Sequence, residues 1–487
     1  MSFIDGTAVN VALPVLQRDL HASAASVQWV VEGYSLFLSA LILIGGSLGD
    51  LFGRRLVFGS GIALFALASL ACAIAPNIDL LIAARCLQGV GGALAVPGSL
   101  ALISATYADA DRGRAIGTWS GFSAITAAIG PVLGGALVQF GSWRWVFVIN
   151  VPLALAVLVI LRFGTSESRD DGASRSIDVA GASLATFGLG ALVYGLIGLQ
   201  GGTLAAAGFS AVALGAVALA GFVLVEARTA HPMVRLELFA SRRFSLANLY
   251  TFLLYAALGG SVFFVPFDLI NVQGYPPAAA GAALLPMVVI VFAFSRFSGG
   301  LVATIGARLP LVLGSVLAAT GFVIFGFSGV GHSYWLTFFP GATALGLGAA
   351  CFAAPITTTV MGAVEPSHAG VASGINNAVA RTAGLIAIAA LGIALAGVFE
   401  KSLGHALARE QISGASRAIV TQERAQIVAG QVPTEISSAH DRAVVGRAIH
   451  ASYARGFQIA MFASALLALL SAPIALDRSF RRDASSR

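Results

Sequence analysis

Of the chain's 487 residues, 57% are hydrophobic and 10% charged, against about a quarter charged in an average soluble protein. Such a composition excludes a soluble globular enzyme and a disordered chain, and it needs lipid around most of the length. The formal charge of +6 is no nucleic-acid footprint, because the basic residues, all arginine except Lys401, are scattered over short polar stretches.

Apolar runs of ~20 residues predict fourteen membrane spans. They fall near 1–17, 28–48, 56–75, 80–106, 114–140, 144–162, 178–199, 205–226, 245–271, 278–302, 309–329, 333–360, 370–399 and 456–476. In the first, Asp5 should lie mid-helix, yet four residues cannot cross ~15 Å of hydrocarbon at ~1.5 Å per residue. The expectation is that the true start lies upstream of Met1. Asp5 is read as a proton or cation site, with an acid exposed near a truncated helix end as the alternative. In the second span Glu32 sits about one turn inside the expected outer surface. An intramembrane carboxylate faces a cavity or a partner by default, so Glu32 is read as a transport residue, or else as a structural hydrogen-bonding group.

Between the second and third spans, Gly46-Ser47-Leu48-Gly49-Asp50-Leu51-Phe52-Gly53-Arg54-Arg55 leaves no room for a folded loop. It predicts a tight hairpin at the membrane surface, with glycines allowing close approach and Asp50 facing Arg54 and Arg55. About 250 residues later an eroded copy occurs: Gly46 aligns with Gly299, Gly53 with Gly306 and Arg55 with Arg308, while Asp50 and Arg54 become Ala303 and Ala307. Pro97 answers to Pro355, and Gly113 and Gly117 to Gly370 and Gly374, at nearly the same offset. The chain therefore reads as a tandem duplication. Spans seven and eight lie between the halves and carry no motif.

In the fourth span Arg85, Gly89 and Ala93 share one helical face, which should pack closely while holding a permanent cation. In the fifth, Gly130, Pro131, Gly134 and Gly135 predict a face open to a neighbouring backbone. Trp143 and Trp145 suit a membrane interface, with Asn150 and Pro152 opening the sixth span. Residues 167–178 and 226–243 read as polar linkers without a binding site. Asp268, near the outer end of the ninth span, is read as a wetted helix end, with attraction of a cationic substrate as the alternative. Arg296 is explained by snorkelling. The stretch 400–455 predicts an external helical hairpin lying on the membrane surface. Cys72, Cys86 and Cys351 lie in apolar runs and read as small core residues; neither they nor His405, His440 and His450 have metal-ligand spacing.

Gly46 to Arg55 resembles the loop signature of the major facilitator superfamily. The stretches Asp5 to Pro14, Arg85 to Ala93 and Gly130 to Gly135 resemble that superfamily's fourteen-helix drug:proton antiporter branch, although Thr126 stands where relatives often carry a glycine. The resemblance implies an all-α integral membrane fold. A first six-helix bundle would span 1–162, linkers and two inserted helices 163–243, a second bundle 244–476 including the loop 400–455, and a tail 477–487. It implies that Arg85 belongs to proton coupling, that Gly130, Pro131, Gly134 and Gly135 form an antiporter motif, and that Asn376, Asn377 and Arg381 join a polar network lining a cavity. It also places Asp50 close to the start of the thirteenth span near Gly370, as part of a gate. Glu32 is then expected to be the coupling carboxylate, with Asp5 as helper and Arg85 as its partner in space, moving between the two access states. Their balance of charge and desolvation would set Glu32's titration.

Arginine-rich short loops put both termini inside a cell membrane; Lys401 and the arginines of 400–455 break that pattern. With no GxxxxGK[ST] loop, the energy source is expected to be the proton gradient, without a cofactor. The expected function is export of amphipathic small molecules in exchange for protons, with protons and the lipid bilayer as partners and a periplasmic adaptor left open. An exporter of one physiological metabolite or lipid, or a transport-inactive sensor or scaffold, are the alternatives.

Overall fold

A computed structural model of the chain describes residues 1–107, 109–169, 178–199, 205–229, 232–331, 333–365, 369–410, 412–422, 432–433 and 435–480. His231 and the side chains of residues 109–114, 295–304 and 366–370 lie outside the described residues, and with them the readings of Arg296, Gly299, Ala303, Gly113 and Gly370.

Among the described residues every regular element is helical. In order they are α1 (Ser2–Asp19), α2 (Ala24–Phe52), α3 (Arg54–Ile74), α4 (Ile78–Thr106), α5 (Asp109–Phe140), α6 (Trp145–Val148), α7 (Asn150–Gly164), α8 (Val179–Leu199) and α9 (Ala205–Glu226). There follow α10 (Arg242–Phe267), α11 (Pro277–Ala282), α12 (Leu285–Ile305), α13 (Arg308–Gly326), α14 (Phe338–Met361), α15 (Ala369–Arg409), α16 (Gly414–Gln422) and α17 (Ala439–Ala475). Several starts are set by hydroxyl or amide caps. Ser23 accepts from the Ser26 N–H at 3.1 Å and Asn77 from the Leu80 N–H at 2.9 Å.

Twelve helical stretches among the described residues are long and apolar enough to cross a membrane. The protein is therefore a multi-pass membrane protein. The helices α1 and α5 take their places in the fold but are not among those twelve, so fourteen crossings stands as a proposal.

The duplication is visible in the backbone. Gly53 and Gly306, the aligned pair, both adopt positive φ, 113° and 79°, at the turn that ends one helix and starts the next. Gly61 of α3 and Gly91 of α4 lie so close that a Cβ on either would meet the other's carbonyl oxygen at 2.9 Å. Gly314 of α13 and Gly348 of α14 repeat that crossing, at 3.0 and 2.9 Å. In lipid, where apolar burial gives no drive to associate, such backbone approach is how helices hold together.

Helices α1 to α7 pack as one bundle and α10 to α17 as another. The bundles meet where α5 packs on α11 and where α2 packs on α15. The inserted α8 and α9 pack on each other, and α8 also leans on both α2 and α15. That junction buries Leu36, Leu189, Val193, Ile197, Leu385 and Ala389. The insert thus sits over the seam between bundles.

The described residues of the stretch 400–455 differ from the expected surface hairpin. α15 and α17, at 41 and 37 residues, would be ~62 and ~56 Å long, about twice the hydrocarbon thickness. They run on as a packed extension in which Leu403, Leu407, Val420, Ile436, Val445 and Ile449 are buried. The continuous apolar seam makes this one helical extension.

Candidate polar sites within the bundles

Asp5 is fully buried, not exposed at a helix end. Four helices supply what surrounds it. Arg85 Nη1 donates to Asp5 Oδ2 at 2.5 Å, while Gln88 Nε2 and Asn150 Nδ2 donate to Oδ1 at 2.9 and 3.1 Å. Gln88 also donates to Ser69 Oγ at 2.8 Å. Arg85 Nε reaches the Val30 carbonyl at 2.8 Å, and its guanidinium lies 4.3 Å from the Tyr34 ring centroid. Arg85 is 1% exposed, a depth at which an unpaired cation would cost several kcal/mol, roughly. The network ties α1, α2, α3, α4 and α7 together.

The arginine's position follows from glycine packing on the same face. A Cβ at Gly89 would collide with the Tyr34 carbonyl, and one at Gly45 with the Ala93 backbone. Close contact of α2 with α4 brings Arg85 under Tyr34.

The expected pairing of Arg85 with Glu32 is therefore corrected: Arg85 is paired with Asp5. Glu32 is also fully buried, but neither carboxylate oxygen has a hydrogen-bond partner among the described residues. On α2 it lies one turn from Gln28 and from Leu36, which belongs to the junction with α8 and α15. An orphaned carboxylate there is costly unless a proton or a cation accompanies it.

Asn376 does join a polar group, donating to Asn248 Oδ1 at 3.1 Å and Thr251 Oγ1 at 2.8 Å. No hydrogen bond joins Arg381 to that group among the described residues. Asn377 is exposed and turned back onto the Ser373 carbonyl. Asp268 is not a wetted helix end. It is 0% exposed, begins a π-helical turn (Asp268–Val272), and keeps Oδ1 without a partner, while Oδ2 accepts from Gln273 Nε2 at 3.3 Å.

At the hairpin, Asp50 pairs with Arg54 at 2.8 Å, as its sequence position suggested. Arg55 does not join them: its guanidinium donates to the Arg162 carbonyl at 3.1 Å. The anion at the α3 N-terminus is Glu167, which accepts from the Arg55 and Leu56 N–H groups at 2.9 and 3.1 Å. Gly53 suits glycine because its φ of 113° would strain any other residue, and a Cβ there would also press on that carboxyl at 2.7 Å. Gly46 faces Pro97 of α4 at ordinary contact distance.

Gly130 and Gly134 pack against Thr7 and Ala8 of α1, and Gly135 against Pro277 and Ala278 of α11. The Pro131 carbonyl in turn lies where a Cβ at Gly281 would fall. Gln139 Oε1 accepts from the Ala278 N–H at 3.1 Å. This glycine face therefore clamps the two bundles together at the end bearing Pro277, opposite the end bearing Asp50.

Ser69, Tyr34, Gln88, Asn248 and Thr251 carry no role in the sequence reading, and Asn150 figures there only as the start of the sixth span. Their signal was a polar side chain inside an apolar run, which many structural groups share.

Two duplicated helical bundles packed across a glycine seam, with acids buried between helices, define a polytopic transporter. The chain belongs to the Major Facilitator Superfamily, which it matches over residues 1–390. It is 36% identical over 448 residues to multidrug resistance protein Stp of Mycobacterium tuberculosis, covering 92% of this chain and 81% of that one. It is 33% identical over 484 residues to a tetracenomycin C resistance and export protein of Streptomyces glaucescens, covering 98% and 89%. Among solved structures, an inward-facing, occupied bacterial homologue of the human lysosomal transporter Spinster shares the fold at a TM-score of 0.68 and 16% identity, covering 99% and 96%.

Proposed function

We propose that the chain exports amphipathic small molecules across a cell membrane in exchange for protons, as a member of the fourteen-helix antiporter branch with the Asp50 end and both termini in the cytoplasm. Relatives named for multidrug resistance and for tetracenomycin C resistance and export, matched over nearly the whole chain, support export.

The observation that carries proton coupling is Glu32: a fully buried carboxylate with no donor to either oxygen among the described residues. Such a group is stable with a proton bound, or with a cationic substrate against it, and not bare. Competition between the two makes exchange obligatory. Asp5 is already matched by Arg85, so its role is to hold Arg85 in place under Tyr34. Asp268 is a second buried acid, in the other bundle, with one oxygen unpartnered among the described residues. The Asp50–Arg54 hairpin and the α5–α11 clamp sit at opposite ends, where alternating access needs its two gates.

The test is uptake of a fluorescent cationic dye into everted vesicles or proteoliposomes carrying the protein, with an imposed pH gradient. Accumulation that follows the gradient and collapses with a protonophore supports the reading. Gradient-independent flux, or none for any of a panel of amphipathic compounds, would overturn it and favour a narrow substrate or a non-transporting role.

A further inference from the structure

At the Asp50 end of the inserted pair, two acids meet over one glycine. Asp178 precedes α8 and Glu226 ends α9; they are 8% and 3% exposed. Each spends one oxygen on a backbone N–H: Gly181 donates to Asp178 Oδ1 at 2.7 Å, and Val234 donates to Glu226 Oε2 at 3.0 Å. The other two oxygens, Asp178 Oδ2 and Glu226 Oε1, are buried and have no donor among the described residues. They point at the same place. A Cβ built on Gly181 would lie 2.6 Å from the first and 2.8 Å from the second, so any side chain there would fill the space where the two oxygens converge.

We propose that Asp178 and Glu226 share one proton and together form a proton-binding clasp that fastens α8 to α9 and to the segment leading into α10. Two buried carboxylates this close cannot both stay ionised, and neither oxygen can hydrogen-bond the other without a proton between them. One proton supplies the missing donor and satisfies both orphaned oxygens at once.

No cation competes for this role among the described residues. No described arginine or lysine forms an ion pair with either acid. Arg228, Arg235 and Glu237 on the flanking segment are exposed, as is Arg169 before α8. On the helices that α8 touches, α2 carries Glu32 and Asp50, the latter paired with Arg54, and α15 carries Arg381, Glu400, Lys401, His405 and Arg409. Those helices meet α8 around Leu189 to Ile197, at least eleven residues or ~16 Å along the axis from Asp178.

The sign follows. With one proton between them the acids attract, and with none they repel. The clasp holds at lower pH and is released as pH rises through loss of the shared proton. Because α8 leans on both bundles, its release loosens the insert's hold on the seam. The inference stands on the insert alone and does not depend on what is transported.

The test uses the full-length protein in lipid nanodiscs. In a Glu32→Gln, Asp268→Asn background, which removes the other buried acids, infrared difference spectra between acid and alkaline pH should show a protonated carboxyl band lost on alkalinisation. That band should be absent once Glu226→Gln or Asp178→Asn is added. Hydrogen exchange at Gly181 and Val234, corrected for intrinsic pH dependence, should rise at alkaline pH in the parent protein. It should stay flat in Asp178→Asn, whose amide keeps the Gly181 acceptor and supplies a permanent donor to Glu226. Three results would overturn the proposal: no such band in that background, exchange that changes equally in parent and Asp178→Asn, or protection restored at alkaline pH by sodium or magnesium ions. The last would make the site a cation site.

Discussion

Replacing Asp5 by asparagine tests the physical account of the first bundle most directly. The amide keeps a carbonyl acceptor for Gln88 and Asn150, so those two hydrogen bonds survive, each contributing about 1 kcal/mol net. What is lost is the charge opposite Arg85, now faced by an N–H donor at the position of the 2.5 Å contact. Removing one partner of a buried pair costs about 3–5 kcal/mol. Arg85 keeps its bond to the Val30 carbonyl and its place over Tyr34, which puts the expected loss at the low end, about 3 kcal/mol. For a unit of ~150 residues that corresponds to a fall of ~6–12 °C in apparent melting temperature. Replacing Arg85 by methionine in the Asp5→Asn background removes the stranded cation and should recover most of the loss. Thermal unfolding of detergent-purified protein, followed by tryptophan fluorescence, reads both. Asp5→Asn melting with the parent protein, or the two changes adding without coupling, would refute the pairing as a structural tie.

Other predictions concern the proposed transport cycle and its two ends. Glu32→Gln should abolish pH-driven dye export while leaving expression and melting temperature within ~2 °C, because no hydrogen bond to the carboxylate is lost; normal gradient-driven export by this variant would pass the coupling role to Asp268. Asp50→Asn should slow export measurably yet change stability by no more than about 0.5 kcal/mol, since the Arg54 pair is partly exposed and one turn apart on the chain; distances between spin labels on α2 and α15 should shift toward the inward-open arrangement, and an unchanged distribution argues against a gate. Gly281→Val should force α11 away from the Pro131 carbonyl, and labels on α5 and α11 should then report a wider Pro277 end with export lost; unchanged distances would show that this contact does not close the molecule.

Much was decided by sequence alone. Apolar run lengths set out the helices, since in lipid every backbone group must be satisfied within its own segment. The spaced glycines marked the duplication, because Gly53 and Gly306 both turn through positive φ, which side chains rarely adopt. Such signals are local, carried by residue type and period. Which buried acid found a cation was not local. Asp5 and Glu32 are both acids in the first two helices, and sequence gave Arg85 to the wrong one. Only the packing of α4 between α2 and α3 placed Arg85 on Asp5 and left Glu32 without a partner among the described residues. Asp268 likewise seemed exposed by its place near a helix end, until α10 and α17 closed around it. Asp178 and Glu226 stand 48 positions apart at two ends of a linker-flanked insert, and their meeting over Gly181 depends on how α8 crosses α9. A hydrophobic period shows which residues leave water; only the crossing of helices decides which polar groups they meet there.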